Sequence, residues 1–464
     1  MEQQPDWGSF RDPGGHVYIA QDHVYRTVLK SKSAIYEACR KADIYNHFCD
    51  EGLLLPVQEC SVEELSESHR SEDISYLLKH PRLDFISYPY EWTFAAHKSA
   101  ALLHLDLHIA LLETGFTLCD ATAYNVQFLG TKPVFIDHLS IEPYNEGEIW
   151  SGHHQFCMQF LNPLIMWSKV GVAPNDWFRG SLEGIAPEAL SKILPLWQKK
   201  SWTVFSHVVL QSLLKKKSIA RGTANRVARN TTLSKNAFTA ILLGLRNYIE
   251  NLTGPKDKTV WEQYDQHNTY VDQDIQRKEA FVAQSVQEIK PGLLYDLGCN
   301  TGRYSDVALN AGAKRVIGFD YDHAALGFAF ERFSKKDAAF TPLYFDAANP
   351  SPNQGWGQKE RKGFEGRAKP DAIIALAFIH HIVIGRNIPL DRAVHWLLSL
   401  APAGVIEFPD KTDPMVQELL RHRKDIFPDY NEANFIDILS QKSSITAKIK
   451  LSGNNRLLVS YSRQ

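Results

Sequence analysis

The sequence predicts an α/β protein in which a doubly wound, seven-stranded C-terminal domain, residues 254–464, follows an α+β half, residues 1–253. Three observations predict it. The apolar run Leu293 to Tyr295 ends in Asp296 and is followed by Gly298, Gly302 and an amphipathic segment, the order strand, glycine loop, helix. A second apolar run, Arg315 to Phe319, ends in Asp320, eighteen residues past Gly302, where the acidic residue of a dinucleotide fold meets a ribose hydroxyl. The later apolar runs also end at ionisable side chains, namely Asp346, His380 and Glu407, and ligands of open parallel sheets sit beyond the carboxyl ends of the strands.

Composition sets the bounds. A chain of 464 residues exceeds one average core, so two domains are expected. Apolar residues make up 44% and charged residues 22%, and the net charge of −2 gives no overall pull toward nucleic acid or membrane. Six cysteines lie far apart with no C-x-x-C, which argues against a disulfide framework and a zinc knuckle and fits a reducing cytoplasm. The polar N-terminus and the short longest apolar stretch, Ala372 to Gly385 with its two histidines, predict no signal peptide and no membrane span.

In the first half, Pro13-Gly14-Gly15 reads as a glycine turn before two strands, His16 to Ala20 and Val24 to Leu29, joined at Gln21-Asp22. A helix over Ser33 to Glu51, an acidic loop over Glu59 to Asp73, a strand over Leu83 to Tyr88 and a long helix from about Glu91 to Thr114 follow. Asp120 and Asn125 then stand five apart in a loop, a short strand pair follows, and Asp137 lies twelve residues beyond Asn125 at a strand end. From Trp150 to Leu252 the pattern is helical. The segment 199–258 is basic, with only Glu250 and Asp257 as acids, and reads as a solvated face or a peripheral contact for anionic surfaces. Gly254-Pro255-Lys256-Asp257 marks the boundary.

In the second half, residues 259–289 form a helical preface in which Tyr264 and Tyr270 are either cofactor cover or core. The first two strands are those of the opening observation. A helix, His323 to Phe333, leads to a strand, Phe340 to Phe345, and the Gly/Pro-rich insertion 347–370 follows it beside the expected ligand site. The fourth strand is Ala372 to Ala377. A helix, Leu390 to Leu400, precedes the fifth, Val405 to Phe408, and a helix, Asn431 to Leu439, precedes two terminal strands, Ile445 to Leu451 and Asn455 to Tyr461.

The glycine loop selects its ligand. Asn300 and Arg303 occupy the second and third positions of a G-x-G-x-x-G fingerprint, so a pyrophosphate is disfavoured. A carboxylate at Asp296 repels phosphate and attracts an ammonium or sulfonium cation, and S-adenosylmethionine carries both. D-L-G-C-N-T-G (296–302) with V-I-G-F-D (316–320) resembles motifs I and II of the class I methyltransferases. The resemblance implies a Rossmann-like fold, S-adenosylmethionine as cofactor, and Asp296, Gly298, Asn300, Gly302, Asp320 and Asp346 as cofactor-binding residues, with Asp346 at the adenine amino group. For a hydroxyl acceptor the reaction needs a base, and His380 or His381 is the first choice, Glu407 or Asp410 the second. Adjacent histidines on an extended segment point to opposite sides, which disfavours a shared metal ion.

Asp120, Asn125 and Asp137 resemble the catalytic loop and metal-binding aspartate of the protein-kinase and aminoglycoside-kinase fold. The resemblance implies that Asp120 orients an acceptor hydroxyl and that Asn125 and Asp137 hold magnesium on ATP, with the glycine hairpin over the phosphates and Ser87 to Trp92 as hinge. Departures point to a degenerate site: Thr122 stands where a basic residue is usual, D-F-G reads Asp137-His138-Leu139, and no V-A-I-K lysine is visible, so that Arg26 or Lys30 substitutes only by position. S-P-N-Q-G-W, A-F-I-H-H-I and I-E-F-P-D-K-T-D, with the kinase-like first half, resemble a bacterial group of methyltransferases related to a host-specific nodulation protein. That implies a methyltransferase whose acceptor the sequence does not name; a hydroxyl of a cell-surface glycan or a related metabolite, met in the cytoplasm, is the expectation. The alternatives from other classes are a nucleotide-fold scaffold without chemistry and a bifunctional kinase-methyltransferase that caps a glycan chain.

Overall fold

The computed structural model of the chain describes residues 3–213, 232–255, 272–421, 423–453 and 455–463. It divides into two units: Met1–Phe128, Lys132–Lys256 and Asn353–Arg361 in the first, and Leu129–Thr131, Asp257–Pro352 and Lys362–Gln464 in the second. Lys215 to Arg229 of the basic segment, Lys258, and the cover residues Tyr264 and Tyr270 lie outside the described residues.

The first unit opens with β1 (Gln4–Pro5), β2 (Val17–Ile19), β3 (His23–Leu29), β4 (Gln58–Cys60) and β5 (Ile74–Pro81), an antiparallel sheet in the order β1-β2-β3-β5-β4. β3 runs directly into the helix Lys30–Lys41. The expected continuous helix over Ser33 to Glu51 is broken at Asp43, which takes a left-handed φ of 57° before Ile44–Asp50 resumes; a short polar side chain tolerates that conformation where most residues do not. The strand expected at Leu83 to Tyr88 is irregular chain, and the strand lies earlier, at Ile74–Pro81. The helix Phe94–Glu113 starts where the Thr93 hydroxyl accepts from the Ala96 N–H, a cap worth about 1 kcal/mol. Beyond it, β6 (Phe116–Leu118) pairs with β9 (Ile141–Pro143), and β7 (Val126–Leu129) with β8 (Lys132–Phe135). The following segment is helical, with π turns at Cys157–Leu161, Met166–Val170 and Phe205–Val209.

The second unit is a doubly wound sheet of β10 (Leu293–Leu297), β11 (Arg315–Asp320), β12 (Phe340–Tyr344), β13 (Ala372–Ala375), β14 (Ala403–Pro409), β15 (Ser444–Lys450) and β16 (Arg456–Ser462). The spatial order is β12-β11-β10-β13-β14-β16-β15, parallel except for β16. Every residue of β10 is buried, as a central parallel strand covered on both faces requires. The chain winds outward from β10 to β12 and then crosses back to β13, so the winding reverses between β10 and β13 and leaves a crevice at their carboxyl ends. The helix Asp272–Ile289 packs Phe281, Val282 and Val286 into the core that holds Leu294, Ile374 and Val405. Its first turn is tied down by Asp274, which accepts from Ser452 Oγ at 3.1 Å and Gly453 N at 2.8 Å.

The insertion 347–370 starts at the expected ligand site, where Ala347 lies beside Asp346, and then leaves it. Its middle, Asn353–Arg361, belongs to the first unit, where Arg361 lies 4.5 Å from the Tyr124 ring centroid and Arg11 Nε donates to Glu360 at 2.7 Å. Among the described residues no helix is long and apolar enough to cross a membrane.

Candidate active site

At the carboxyl ends of β10, β11 and β13 the second unit holds a cleft of about 350 Å³. Its shape begins with the loop after β10. Gly298 has φ 78°, Asn300 φ 50° and Gly302 φ 79°, and the Asn300 side-chain oxygen accepts from the Thr301 N–H at 2.8 Å, which offsets the left-handed backbone. Gly298 lines the cleft, and a Cβ there would lie 3.3 Å from Phe378. Gly302 does not line it; a Cβ would meet the buried Phe333 ring at 2.6 Å. Gly302 therefore shapes the loop rather than touching a ligand, a correction to its expected role.

Asp296, Asp320 and Asp346 all line the cleft with Asn300. Burial pushes the Asp296 carboxyl up to about 7, while Ser305 Oγ, donating at 2.6 Å, and the Lys278 charge pull it down. The Asp320 carboxylate accepts backbone N–H groups from Asn300 at 2.7 Å and Asp322 at 2.9 Å, which fixes its orientation at the end of β11. Asp346 pairs with Arg386 at 3.3 Å. Acidic groups share the wall with the cations Lys278, Arg303 and Arg386 and with an apolar part that includes Phe319, Phe345, Leu376 and Phe378, a setting that suits a ligand with an aromatic or apolar body and charged ends.

The expected bases separate. His381 lines the cleft and His380 does not. The two rings lie 4.2 Å apart between centroids; burial lowers the His381 pKa to about 4, with the Arg456 charge adding to it, and burial, followed by the His381 charge, also lowers that of His380. The extended segment assumed for them is instead helical, with His380 leading into a π turn over His381–Gly385. Glu407 is corrected as a base. Its fully buried carboxylate accepts from Lys278 Nζ at 2.7 Å and from the Ala377 N–H at 2.6 Å, and Arg456 lies 3.7 Å away. An anion held by two cations and a backbone donor is a weak proton acceptor. Asp410 accepts from Thr412 N and Oγ1, both at 3.0 Å, and lies outside the cleft.

Sequence reasoning missed Lys278, Tyr304, Tyr321 and Arg386, which also line the cleft. Tyr321 directly follows the strand-end Asp320, a position that could have flagged it. Lys278 sits in the expected preface helix, and its burial shows only once Glu407 is placed beside it.

In the first unit Asp120, Asn125 and Asp137 converge. Asn125 Nδ2 donates to Asp120 at 3.2 Å and to Asp137 at 3.3 Å. Arg26, from β3, pairs with Asp12 and lies 3.3 Å from Asp137. Burial, followed by the Asp137 charge, raises the Asp120 pKa. The Thr122 hydroxyl donates to Gln159 at 2.8 Å, and the Gln159 oxygen also accepts from the Ala123 N–H at 2.8 Å, so the loop is pinned to the following helical segment. His138, the second residue of the expected metal-binding triplet, is buried and its pKa is lowered to about 4 by desolvation.

No protein-family model matches the chain. Among solved structures it overlays on the N-methyltransferase NodS from Bradyrhizobium japonicum WM9 in complex with S-adenosyl-l-homocysteine, with a TM-score of 0.32, 13% identity and coverage of 44% of this chain and 99% of that one. It overlays on magnesium protoporphyrin IX methyltransferase from Synechocystis PCC 6803 with a TM-score of 0.30, 21% identity and coverage of 53% and 100%. It is 43% identical over 463 residues to nodulation protein NoeA of Rhizobium meliloti (strain 1021), covering 98% of this chain and 95% of that protein. On that near full-length identity, the chain belongs to the family of nodulation protein NoeA.

Proposed function

We propose that the C-terminal domain, residues 254–464, which contains the doubly wound sheet, is a methyltransferase that uses S-adenosylmethionine and acts on a small-molecule or glycan hydroxyl. The observation that carries this reading is the cleft at the reversal of the sheet, with Asp296, Asn300, Asp320 and Asp346 on its wall. The residues present fit the cofactor. Its volume of about 350 Å³ falls within the roughly 300–1,000 Å³ of small-ligand sites. A buried carboxyl at Asp296 has a protonation state that a ligand cation would change.

In this reading Asp320 holds the ribose hydroxyls, Asp346 the adenine amino group, and Tyr321 an aromatic face beside them. Asp296 answers the cationic end, and Gly298 keeps the wall low. S-adenosylmethionine bound there would supply the methyl group as an electrophile. His381, the one of the two histidines that lines the cleft, is the acceptor base. Glu407 acts through others: it holds Lys278 on the cleft wall and fixes Ala377, whose φ of 48° is strained for a residue with a Cβ.

Incubation of a cell extract with the full chain and methyl-labelled S-adenosylmethionine tests this. Transfer to an extract component that Asp320→Ala abolishes supports the reading, and no transfer by the wild type under conditions where the cofactor binds contradicts it.

A second reading concerns the first unit alone, and the convergence of Asp120, Asn125 and Asp137 within hydrogen-bond distance favours it. We infer a kinase-like nucleotide site in which Asn125 and Asp137 hold magnesium on ATP. Arg26 stands on the third strand, where a kinase carries its phosphate-binding lysine. Its pairing with Asp12 and Asp137 engages the charge that would otherwise meet phosphate, and Thr122 adds none. This supports binding without efficient phosphoryl transfer.

A further inference from the structure

A different cluster in the first unit has no part in either reading. His153 opens the helix His153–Phe156, Cys157 begins the π turn that continues it, and His207 lies in the π turn Phe205–Val209. His153 and Cys157 are four residues apart on one helical face. One nitrogen of each histidine and the Cys157 sulfur all lie within 4.8 Å of one another. His153 Nε2 is 2.8 Å from His207 Nδ1 and 3.7 Å from Cys157 Sγ. Around an ion with bonds of about 2.0–2.3 Å, the nitrogen pair would widen by about half an ångström to become the edge of a tetrahedral face, and the nitrogen–sulfur separation already has about that length.

We propose that His153, Cys157 and His207 form a binding site for one zinc-class transition-metal ion. Two imidazole nitrogens and one sulfur are the donor set of borderline-soft ions, zinc foremost, and three protein ligands leave a fourth position for water or another donor. Both histidines are held neutral by burial, their pKa values lowered to about 4, so each ring keeps one unprotonated nitrogen; the proton shared between His153 Nε2 and His207 Nδ1 moves to the far nitrogen of its ring when the ion binds. Burial holds the Cys157 thiol protonated, with its pKa pushed up to about 12. Binding therefore forms a metal–sulfur bond, breaks the S–H bond and releases one proton to solvent, while the ion gives up hydration waters.

The surroundings complete the site. The Gln211 side-chain amide lies 3.2 Å from His153 Nδ1 and 3.7 Å from Cys157 Sγ. The amide oxygen lies 3.3 Å from His154 Nδ1; turning the amide by 180° exchanges that contact for one with the amide nitrogen and lets the oxygen accept from His153 Nδ1–H, the tautomer that leaves Nε2 for the metal. On the opposite side of the same segment, Gln155 accepts from the Ala121 N–H at 2.9 Å and Gln159 holds Thr122 and Ala123. A metal at His153 and Cys157 would thus brace the element that positions the Asp120 loop. Two histidines four apart or a C-x-x-C would have marked such a site in the sequence; H-x-x-x-C with a distant third ligand did not.

The test is titration of the metal-stripped full chain with Co²⁺ and Zn²⁺. The expected result is one Co²⁺ per chain with a near-ultraviolet sulfur-to-cobalt charge-transfer band, displaced by Zn²⁺, and one proton released per ion. Cys157→Ser should lose the band, and His207→Ala should weaken Zn²⁺ binding by more than the roughly 10- to 100-fold that loss of an outer hydrogen-bond partner costs. Gln211→Ala should fall within that range. A wild-type chain that binds no stoichiometric ion, or binds Co²⁺ without the sulfur band, overturns the proposal whether or not the variants fold. Retention of the band in a folded Cys157→Ser variant overturns it as well.

Discussion

Lys278 Nζ lies 2.7 Å from Glu407 Oε2, with the two side chains 3% and 0% exposed, although 129 positions separate them in sequence. The pair joins the helix Asp272–Ile289 to the sheet and places a lysine on the wall of the cleft. Lys278 also stands 4.8 Å from the centroid of the Tyr304 ring. Glu407→Gln keeps an oxygen for the Ala377 N–H but removes the counter-charge. It is expected to cost about 3–5 kcal/mol, a fall in Tm on the order of 10 °C. The double variant Lys278→Met with Glu407→Gln should be less destabilised than the sum of the single changes, as measured by a thermal-melt cycle.

Cofactor binding should depend on pH through Asp296. Its carboxyl is raised to about 7 by burial, so below that pH it is neutral and a bound cation must displace a proton. The apparent affinity for S-adenosylmethionine is therefore expected to rise with pH from 5 to about 7 and then level, with a limiting slope of about tenfold per unit. Asp296→Asn should bind weakly and flatten this dependence in calorimetric titrations across the range.

The adjacent histidines should behave differently. His381→Ala is expected to lower methyl transfer by roughly 10²–10⁴-fold, the contribution of a general base, with cofactor affinity preserved. His380→Ala, which empties a buried site behind the wall, should lower Tm instead. Labelled-methyl transfer and melting temperatures measured on the same preparations separate the two.

If the first unit holds the proposed nucleotide site, ATP with magnesium at a hundredfold excess over Kd should stabilise the fold that binds it by about 2.7 kcal/mol. Asp137→Ala should abolish the rise in melting temperature. ATP consumption should stay near background in both proteins.

Much of the second unit was legible because its first three strands are buried apolar runs that stop at or close to an aspartate. The runs ending near Asp296, Asp320 and Asp346 are β10, β11 and β12, and the two terminal strands fall within a residue of their expected limits. What failed depended on contacts distant in sequence. Glu407 looks like a strand-end acid until Lys278 and Arg456 are seen beside it. His380 and His381 could not be told apart, because a helical turn rather than an extended segment sets their directions. In the first unit the break at Asp43 is a single left-handed residue inside a helical pattern, and apolar periodicity does not register one residue. The middle of the insertion could not be placed from the sequence because its partners, Arg11 and Tyr124, lie far upstream.

Isothermal titration of the full chain with S-adenosylmethionine bears most directly on the central proposal. One cofactor per chain is expected. Binding should be strongly weakened by Asp320→Ala, which removes the carboxylate at the end of β11, and by Gly302→Val, which places a branched side chain against Phe333 at a φ of 79°. Absence of binding by the folded wild-type protein, or wild-type affinity in a folded Asp320→Ala variant, would contradict the assignment of the cleft.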